Sequence, residues 1–233
     1  MTQSYVFAGV GGYYASKQGG LAGVFRCSTD SGDWKHALSE AEAFTVFVHP
    51  HNPNLVFAGT ADGVYRSTDR GQNFRRADFP DRGVQVWSFL QDDTDPKRML
   101  AGGSPISIYR SEDGGASWKR MPDPQLPIHA KMPFSCRVMR FAPHPRRRGE
   151  IFAVLEVSGV MRSTDGGQSF RRADFPDRGV QVWSFLHDDT DPKLMLAGGS
   201  PASVYRSEDS GASWKRMPDP NLPLLATMPF RVV

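Results

Sequence analysis

The chain has 233 residues, 39% of them hydrophobic and 11% aromatic, which is enough for a packed core in one large domain or two small ones. Its 28 basic and 25 acidic side chains give a net charge of +3, whereas nucleic-acid-binding domains carry a larger and more clustered basic excess. The balance argues against a nucleic-acid partner, and the arginine run at residues 146–148, set among Pro and Gly, is interpreted as a solvated loop.

The cysteines and the N-terminal segment bear on the cellular location. Cys27 and Cys136 are too few for a disulfide framework, and no Cys/His cluster has zinc-ligand spacing. The N-terminus has no basic segment followed by a long apolar stretch, and no apolar run approaches the length of a membrane span. We expect a soluble cytoplasmic protein without membrane partner, metal or cofactor, or a secreted protein if a leader has been removed.

The predicted elements are short strands that come in units of four. The first unit has three, SYVFAGV, GVFR and DWKHAL, interrupted by the long glycine-rich loop 9–23. Each later unit opens on a β-branched and aromatic run, FTVFVHP, VQVWSFL, CRVMRFAP and VQVWSFL, and continues with three further short runs. With 23 Gly and 18 Pro and no helical periodicity, the chain is predicted to be all-β.

A long stretch of the sequence occurs twice in the chain. Residues 71–134 align without gaps with residues 167–230 at an offset of 96, and ten of the 64 positions differ. Such similarity indicates a duplication, either recent or engineered.

A shorter repeat, Ser-x-Asp-x-Gly-x-x-aromatic, ends the third run of every unit. Its carboxylate is placed to accept backbone N–H groups within the turn, its glycine supplies a positive φ, and its aromatic side chain folds back onto the core. The five aspartates are Asp30, Asp69, Asp113, Asp165 and Asp209. The first copy has one residue fewer before its aromatic residue, so a looser turn is expected there.

This repeat resembles the Asp-box, or bacterial neuraminidase repeat, of sialidase-like β-propellers, a superfamily that includes photosystem assembly factors and sortilin-like sorting receptors. The resemblance covers nearly the whole chain and implies a five-bladed β-propeller of four-stranded antiparallel blades. The C-terminal segment TMPFRVV is expected to supply the missing inner strand of the N-terminal blade and so to close the ring. The alternative is an open fragment of a larger ring that closes by dimerising. The predicted blades span residues 228–233 with 1–40, then 41–80, 81–125, 132–176 and 177–222.

Candidate ligand-binding residues lie at the predicted mouth of the axial channel. The loop 9–23 is interpreted as a lid that carries Tyr13 and Tyr14, with a tolerated insertion as the alternative. Aromatic and guanidinium groups on the inner strands suit a flat, anionic or sugar-like ligand, although the tryptophans also suit packing between blades. These inner-strand candidates are Trp87, Arg137, Arg140, Trp183 and Arg231.

The histidines that follow the inner strands allow a metal site, but solvated turns are the favoured interpretation. They are His49, His51, His144 and His187. Gln91 replaces His187 in the twin unit, which is unexpected for a shared metal ligand.

The resemblance to sialidases raises the possibility of glycoside hydrolysis. Glu156 is the weak catalytic candidate, and a second carboxylate would have to come from Asp81 or Asp177. No Tyr–Glu pair of the sialidase type can be placed. The favoured expectation is therefore a monomeric binding scaffold without catalytic machinery, for a small anionic or carbohydrate ligand or a protein segment. A glycoside hydrolase or lyase acting at the channel mouth is the alternative, and an engineered propeller without a selected ligand is a third possibility.

Overall fold

A computed structural model describes residues 4–12, 21–123, 135–177, 180–200 and 202–218 of the chain. These residues form nineteen β-strands in five antiparallel sheets, which follow one another along the chain. Within the same ranges there is no helix, and so none that could cross a membrane. The all-β prediction is confirmed.

The first sheet has three strands among the described residues, and each of the other four has four strands in chain order. The first sheet consists of β1 Tyr5–Val10, β2 Gly23–Ser28 and β3 Trp34–Leu38. The second consists of β4 Ala43–Val48, β5 Val56–Thr60, β6 Gly63–Ser67 and β7 Arg75–Arg76. The third consists of β8 Gln85–Gln91, β9 Met99–Ser104, β10 Ser107–Ser111 and β11 Lys119–Arg120. The fourth consists of β12 Val138–Pro143, β13 Ile151–Leu155, β14 Val160–Ser163 and β15 Arg171–Arg172, and the fifth of β16 Gln181–His187, β17 Met195–Ser200, β18 Ser203–Ser207 and β19 Lys215–Arg216.

Sheets of this kind, stacked in chain order, are the blades of a β-propeller. The first strands β4, β8 and β12 of consecutive sheets lie against one another, so we call the first strand of each four-stranded sheet its inner strand. The segment YVFAGV of β1 matches LVFAGT at β5, and β1–β3 therefore correspond to the second to fourth strands of a complete blade. The predicted closing strand, residues 228–233, lies outside the described residues, and ring closure stays a prediction, as do the blade boundaries.

The hydrophobic core is divided among the junctions between consecutive sheets. Four clusters of buried side chains each combine residues of one sheet with residues of the next. At every junction an apolar side chain of the second strand presses on the glycine of the next sheet's Ser-x-Asp turn, where a Cβ would come within 3.0 Å of it. The four pairs are Phe7 with Gly71, Phe57 with Gly115, Leu100 with Gly167, and Phe152 with Gly211. Glycine is therefore required in the turn for close packing as well as for its positive φ.

The hydrogen bonds of the Ser-x-Asp turns agree with the sequence-based prediction. Ser67 Oγ donates to Asp69 Oδ1 at 2.7 Å and accepts the Gly71 N–H at 2.9 Å. Asp69 Oδ1 also accepts the N–H groups of Gln72 and Asn73, both at 3.0 Å. The same pattern surrounds Asp113, Asp165 and Asp209. The side chains of these turns are therefore structural.

Hydrogen bonding also sets the ionisation of these carboxyl groups. Burial alone would raise the pKa of Asp69, but the hydrogen bonds from Ser67, Asn73 and Gln72 outweigh it and lower the pKa to about 2. The turn is thus held together by a carboxylate that stays ionised at neutral pH.

The first turn differs, as its shorter sequence predicts. The Gly32 N–H donates to the backbone carbonyl of Ser28 at 2.9 Å instead of to a serine hydroxyl. The carboxylate of Asp30 has no hydrogen bond among the described residues. Trp34, which follows this turn, is 53% exposed, whereas its counterparts Trp118 and Trp214 are buried.

Candidate functional site

A β-bulge recurs at the same place in all four inner strands. The strand pairing skips one residue near the N-terminal end of β4, β8, β12 and β16. A bulge leaves its extra residue unpaired and redirects the side chain. The four bulged residues are Phe44, Trp87, Met139 and Trp183, and we call them the bulge row.

Two members of the bulge row stack on each other and on an arginine. The rings of Phe44 and Trp87 are 4.3 Å apart between centroids and 13° from parallel. The guanidinium carbon of Arg137 lies 4.1 Å from the centroid of the Trp87 ring, within the range of a cation–π interaction. Trp87 Nε1 donates to Gln85 Oε1 at 3.2 Å, which fixes the orientation of the indole ring.

The stacked arginine is paired with a buried carboxylate. Arg137 Nε donates to Glu156 Oε2 at 2.7 Å, and the Glu156 side chain is only 3% exposed. The backbone places the pair, because the Glu156 N–H donates to the Arg137 carbonyl at 3.0 Å just beyond the ends of β13 and β12. No hydrogen bond to Glu156 Oε1 is found among the described residues, and the side chain is buried.

Together these residues join an aromatic platform to an ion pair. We call Phe44, Trp87, Arg137 and Glu156 the platform cluster. Ser88, the residue after the Trp87 bulge, donates to the Val138 carbonyl at 2.9 Å and ties β8 to β12 beneath the cluster. The cluster combines partly exposed aromatic rings with a fixed cation and a buried carboxylate.

Cys136 lies next to the cluster and is suited to a structural role. Burial raises the pKa of its thiol, and the negative charge of Glu156 raises it further, against the opposing charge of Arg137. A thiol that stays protonated at neutral pH is a poor nucleophile.

The two other carboxylates considered for catalysis are bound within their own sheets. Asp81 accepts the Tyr109 hydroxyl at 2.7 Å and Arg120 Nη1 at 3.0 Å. Asp177 makes the corresponding contacts with Tyr205 and Arg216. Burial, followed by the hydrogen bond to Asp81, raises the pKa of Tyr109 to about 12, so that this phenol stays protonated. Both carboxylates lie in the segments just before inner strands, at the same end of the sheets as Arg137.

The structure brings together only some of the residues that were predicted for the site. Trp87, Arg137 and Glu156 meet in the platform cluster. Arg140 and Trp183 are exposed on the inner strands β12 and β16. The remaining candidates lie outside the described residues, and they are Tyr13, Tyr14 and Arg231.

Sequence reasoning missed Phe44 and Met139. An alignment of the inner-strand runs puts both at the position of Trp87, and that alignment is the signal that identifies them. Without the bulge, strand alternation gives no reason to select this position.

The histidines require a correction, because two of them are buried rather than solvated. His49 Nδ1 accepts the N–H groups of His51 and Asn52, and its Nε2 lies 3.0 Å from the Pro96 carbonyl. His144 Nδ1 accepts two N–H groups of its own turn in the same way. These rings therefore stabilise turns, and no cluster of three or more His, Cys, Asp or Glu side chains suited to a metal occurs in the part of the chain described.

The chain is similar in sequence to xyloglucanases. It is 27% identical over 190 residues to the oligoxyloglucan-reducing end-specific xyloglucanase of Emericella nidulans, covering 74% of this chain and 23% of the enzyme. It is 26% identical over 173 residues to the xyloglucanase of Hypocrea jecorina, covering 73% and 19%. The chain thus spans a fifth to a quarter of the length of these curated relatives. No protein-family model matches it.

Solved structures show the same fold at low sequence identity. An ancestral GH74 enzyme has a TM-score of 0.67 at 18% identity, over 84% of this chain and 28% of the enzyme. YCF48 from Cyanidioschyzon merolae has a TM-score of 0.55 at 18% identity, over 84% and 66%. These neighbours are β-propellers, and the chain shares their architecture.

The comparisons correct the favoured functional expectation. A binding scaffold without catalytic machinery is contradicted, because the sequence relatives are xyloglucanases and the structural neighbours include GH74 glycoside hydrolases. The expectation of a cytoplasmic location gains no support either.

Proposed function

We propose that the chain functions as a glycoside hydrolase. It would bind a polysaccharide of the β-glucan type at the end of the sheets where Arg137 and Glu156 lie. The observation that carries the proposal is the platform cluster, a partly exposed aromatic stack beside an ion-paired carboxylate. The similarity to xyloglucanases supports it, and since those enzymes are several times longer, the activity of the whole protein is part of the proposal.

The bulge row suits the backbone of a glucan. A pyranose ring presents apolar C–H faces and polar edges, so an aromatic face buries the former while charged groups hydrogen-bond to the latter. The row places Phe44, Trp87, Met139 and Trp183 at one position of four adjacent inner strands. Successive sugar rings would lie along this series, with the stacked Phe44 and Trp87 acting as one unit.

Glu156 is the carboxylate to which we assign the chemistry. Its Oε2 is held by Arg137, which fixes the side chain. Oε1 is the oxygen that would accept a hydrogen bond from a sugar hydroxyl or an attacking water. Glycoside hydrolysis normally needs a second carboxylate as partner. Asp81 and Asp177, which lie at the same end of the sheets, are the candidates for it within this chain.

The proposal also covers the identity of the turn motif and the cellular location of the protein. The Ser-x-Asp turns would be Asp-boxes, for which their shared hydrogen-bond pattern speaks. A secreted location fits an enzyme whose substrate is too large to enter a cell.

A binding titration with matched tryptophan variants tests the proposal. Calorimetry with a xyloglucan oligosaccharide should show that Trp87→Ala weakens binding by about 5- to 30-fold, since loss of an aromatic contact costs roughly 1–2 kcal/mol. Trp34→Ala is the control, because Trp34 is an exposed tryptophan on the outer strand of the first sheet. Equal affinities for both variants, or no binding by the unaltered chain, would overturn the proposal.

A further inference from the structure

The two ends of the row of sheets present faces that are buried at every internal junction. In the second strand of each sheet, one set of side chains faces the next sheet and the alternate set faces the previous one. We call the next-facing side of the fifth sheet the back face, formed by Leu186, Leu196 and Val204. We call the previous-facing side of the first sheet the front face, formed by Val6, Ala8, Gly32 and Trp34.

The back face is apolar and exposed. Leu186 is 64% exposed, and Leu196 and Val204 are each 37% exposed. The duplicated third sheet carries the same face, and there Leu100 and Ile108 are 3% and 1% exposed because the fourth sheet covers them. The third and fifth sheets have nearly the same sequence at this face. The difference in exposure therefore arises because a following sheet covers the third sheet, and no described sheet covers the fifth.

The front face is also exposed, although the equivalent faces of the other sheets are buried. Val6 is 51% exposed, whereas its counterparts are fully or almost fully buried by the preceding sheet. These counterparts are Val56, Met99, Ile151 and Met195. Trp34 likewise lies open, although Trp118 and Trp214 pack into the junction before them.

The back face and the front face have the two complementary features that meet at every internal junction, an apolar side chain and a turn glycine. Each junction seats an apolar side chain of the second strand on the turn glycine of the next sheet. Among the described residues, Leu196 is the only second-strand side chain at this position that does not contact the turn glycine of a following sheet. Gly32 is the corresponding turn glycine without a side chain on it, as nothing lies within 4 Å of the position of its Cβ.

We propose that the back face of one chain binds the front face of a second copy, with Leu196 seated on Gly32 of that copy. A second copy is the occupant that fits, because the front face is the one free surface built to this pattern, and both faces are exposed in the described part of the chain. Such a contact is heterologous, so an open assembly keeps one free front face and one free back face until it closes.

Sedimentation velocity over a concentration series tests this with three variants. Leu196→Asp blocks the back face and Val6→Asp blocks the front face, whereas Leu21→Asp, at a leucine that is exposed but belongs to neither face, is the control. The unaltered chain and Leu21→Asp should associate as concentration rises, and each blocked variant alone should stay monomeric. Both blocked positions are already solvent-exposed, and circular dichroism checks that the variants are folded.

Mixing the two blocked variants gives the decisive result. One retains its front face and the other its back face, so an equimolar mixture should form a one-to-one dimer that cannot grow further. An unaltered chain that is monomeric at all concentrations would overturn the proposal, as expected if the ring closes within one chain. Association without a dimer in the mixture would overturn it too, because the contact would then not be head-to-tail.

Discussion

The third sheet lies between two neighbours, whereas the fifth has a neighbour on one side only among the described residues, although the two sheets are near copies of each other. Both have the same strands, the same bulge, and the same turn with its hydrogen bonds. They differ in burial, since Leu100 is covered and Leu196 is not. Local sequence therefore determines the sheet, and the adjacent sheet determines which of its faces becomes core.

The largest effect is expected when the two leucines are truncated. Leu100→Ala should lower the free energy of unfolding by about 3 kcal/mol, because it opens a cavity at the junction with the fourth sheet. Leu196→Ala should cost about 1 kcal/mol or less in dilute protein, since its side chain is partly exposed. Urea denaturation of the two variants measures the difference. Equal losses would mean that the back face is covered within the single chain.

A second comparison uses two turn glycines, one packed against a neighbouring sheet and one open to solvent. Gly167→Ala should cost about 2 kcal/mol or more, because the new Cβ meets Leu100 and the residue has a φ of 80°. Gly32→Ala, at a φ of 72° with open space around it, should cost only the backbone strain of about 1 kcal/mol. Thermal unfolding ranks the two variants, and a Gly32→Ala loss as large as that of Gly167→Ala would contradict the account.

The turn carboxylates predict how stability depends on pH. The pKa of Asp69 is about 2 in the folded protein, below the ordinary value of about 3.9, so its contribution is complete above about pH 4 and is lost as the pH falls toward 2. Asp69→Asn should flatten the decline in urea midpoint between pH 4 and pH 2, at a cost of about 1 kcal/mol at neutral pH. Asp30→Asn in the looser first turn is the comparison, and it should change neither the slope nor the midpoint appreciably.

The smallest effect is expected at a position where the twins differ. Arg98 pairs with Asp92 at 3.0 Å in the third sheet, and Leu194 stands in its place in the fifth. Because Arg98 is partly exposed, Arg98→Leu should cost less than about 1 kcal/mol. The variant should lose the salt dependence of this contribution, which unfolding at low and high ionic strength would reveal. A large loss would show that the two sheets are not interchangeable at this loop.

Much of the fold follows from the sequence because it is repeated. The Ser-x-Asp turns and the strand order within a sheet depend on contacts a few residues apart, as in the hydrogen bonds of Asp69 to Ser67 and Asn73. Ring closure depends on the angle between successive sheets, which no local pattern encodes. For that reason the sequence left two alternatives, a ring that closes within one chain and an open one that closes by dimerising.

The site was predictable in part. Trp87 and Arg137 stood out as an aromatic and a charged residue of the inner-strand runs, and Glu156 as a carboxylate of the fourth unit. Phe44 did not, because its role depends on a bulge that breaks the alternation of the strand. His49 was misjudged since a polar side chain in a turn suggests solvent, whereas its ring is buried and accepts the turn's N–H groups.

The most direct test of the central claim is the release of new reducing ends from xyloglucan by the purified chain and by its Glu156→Gln variant. Glutamine keeps an acceptor for Arg137 and removes the charge, so the fold should be preserved. We predict activity for the unaltered chain and a loss of at least about 100-fold for the variant, the scale expected for a general acid or base. Equal rates for the two proteins, or no release by the unaltered chain, would contradict the assignment of Glu156 in a glycoside hydrolase.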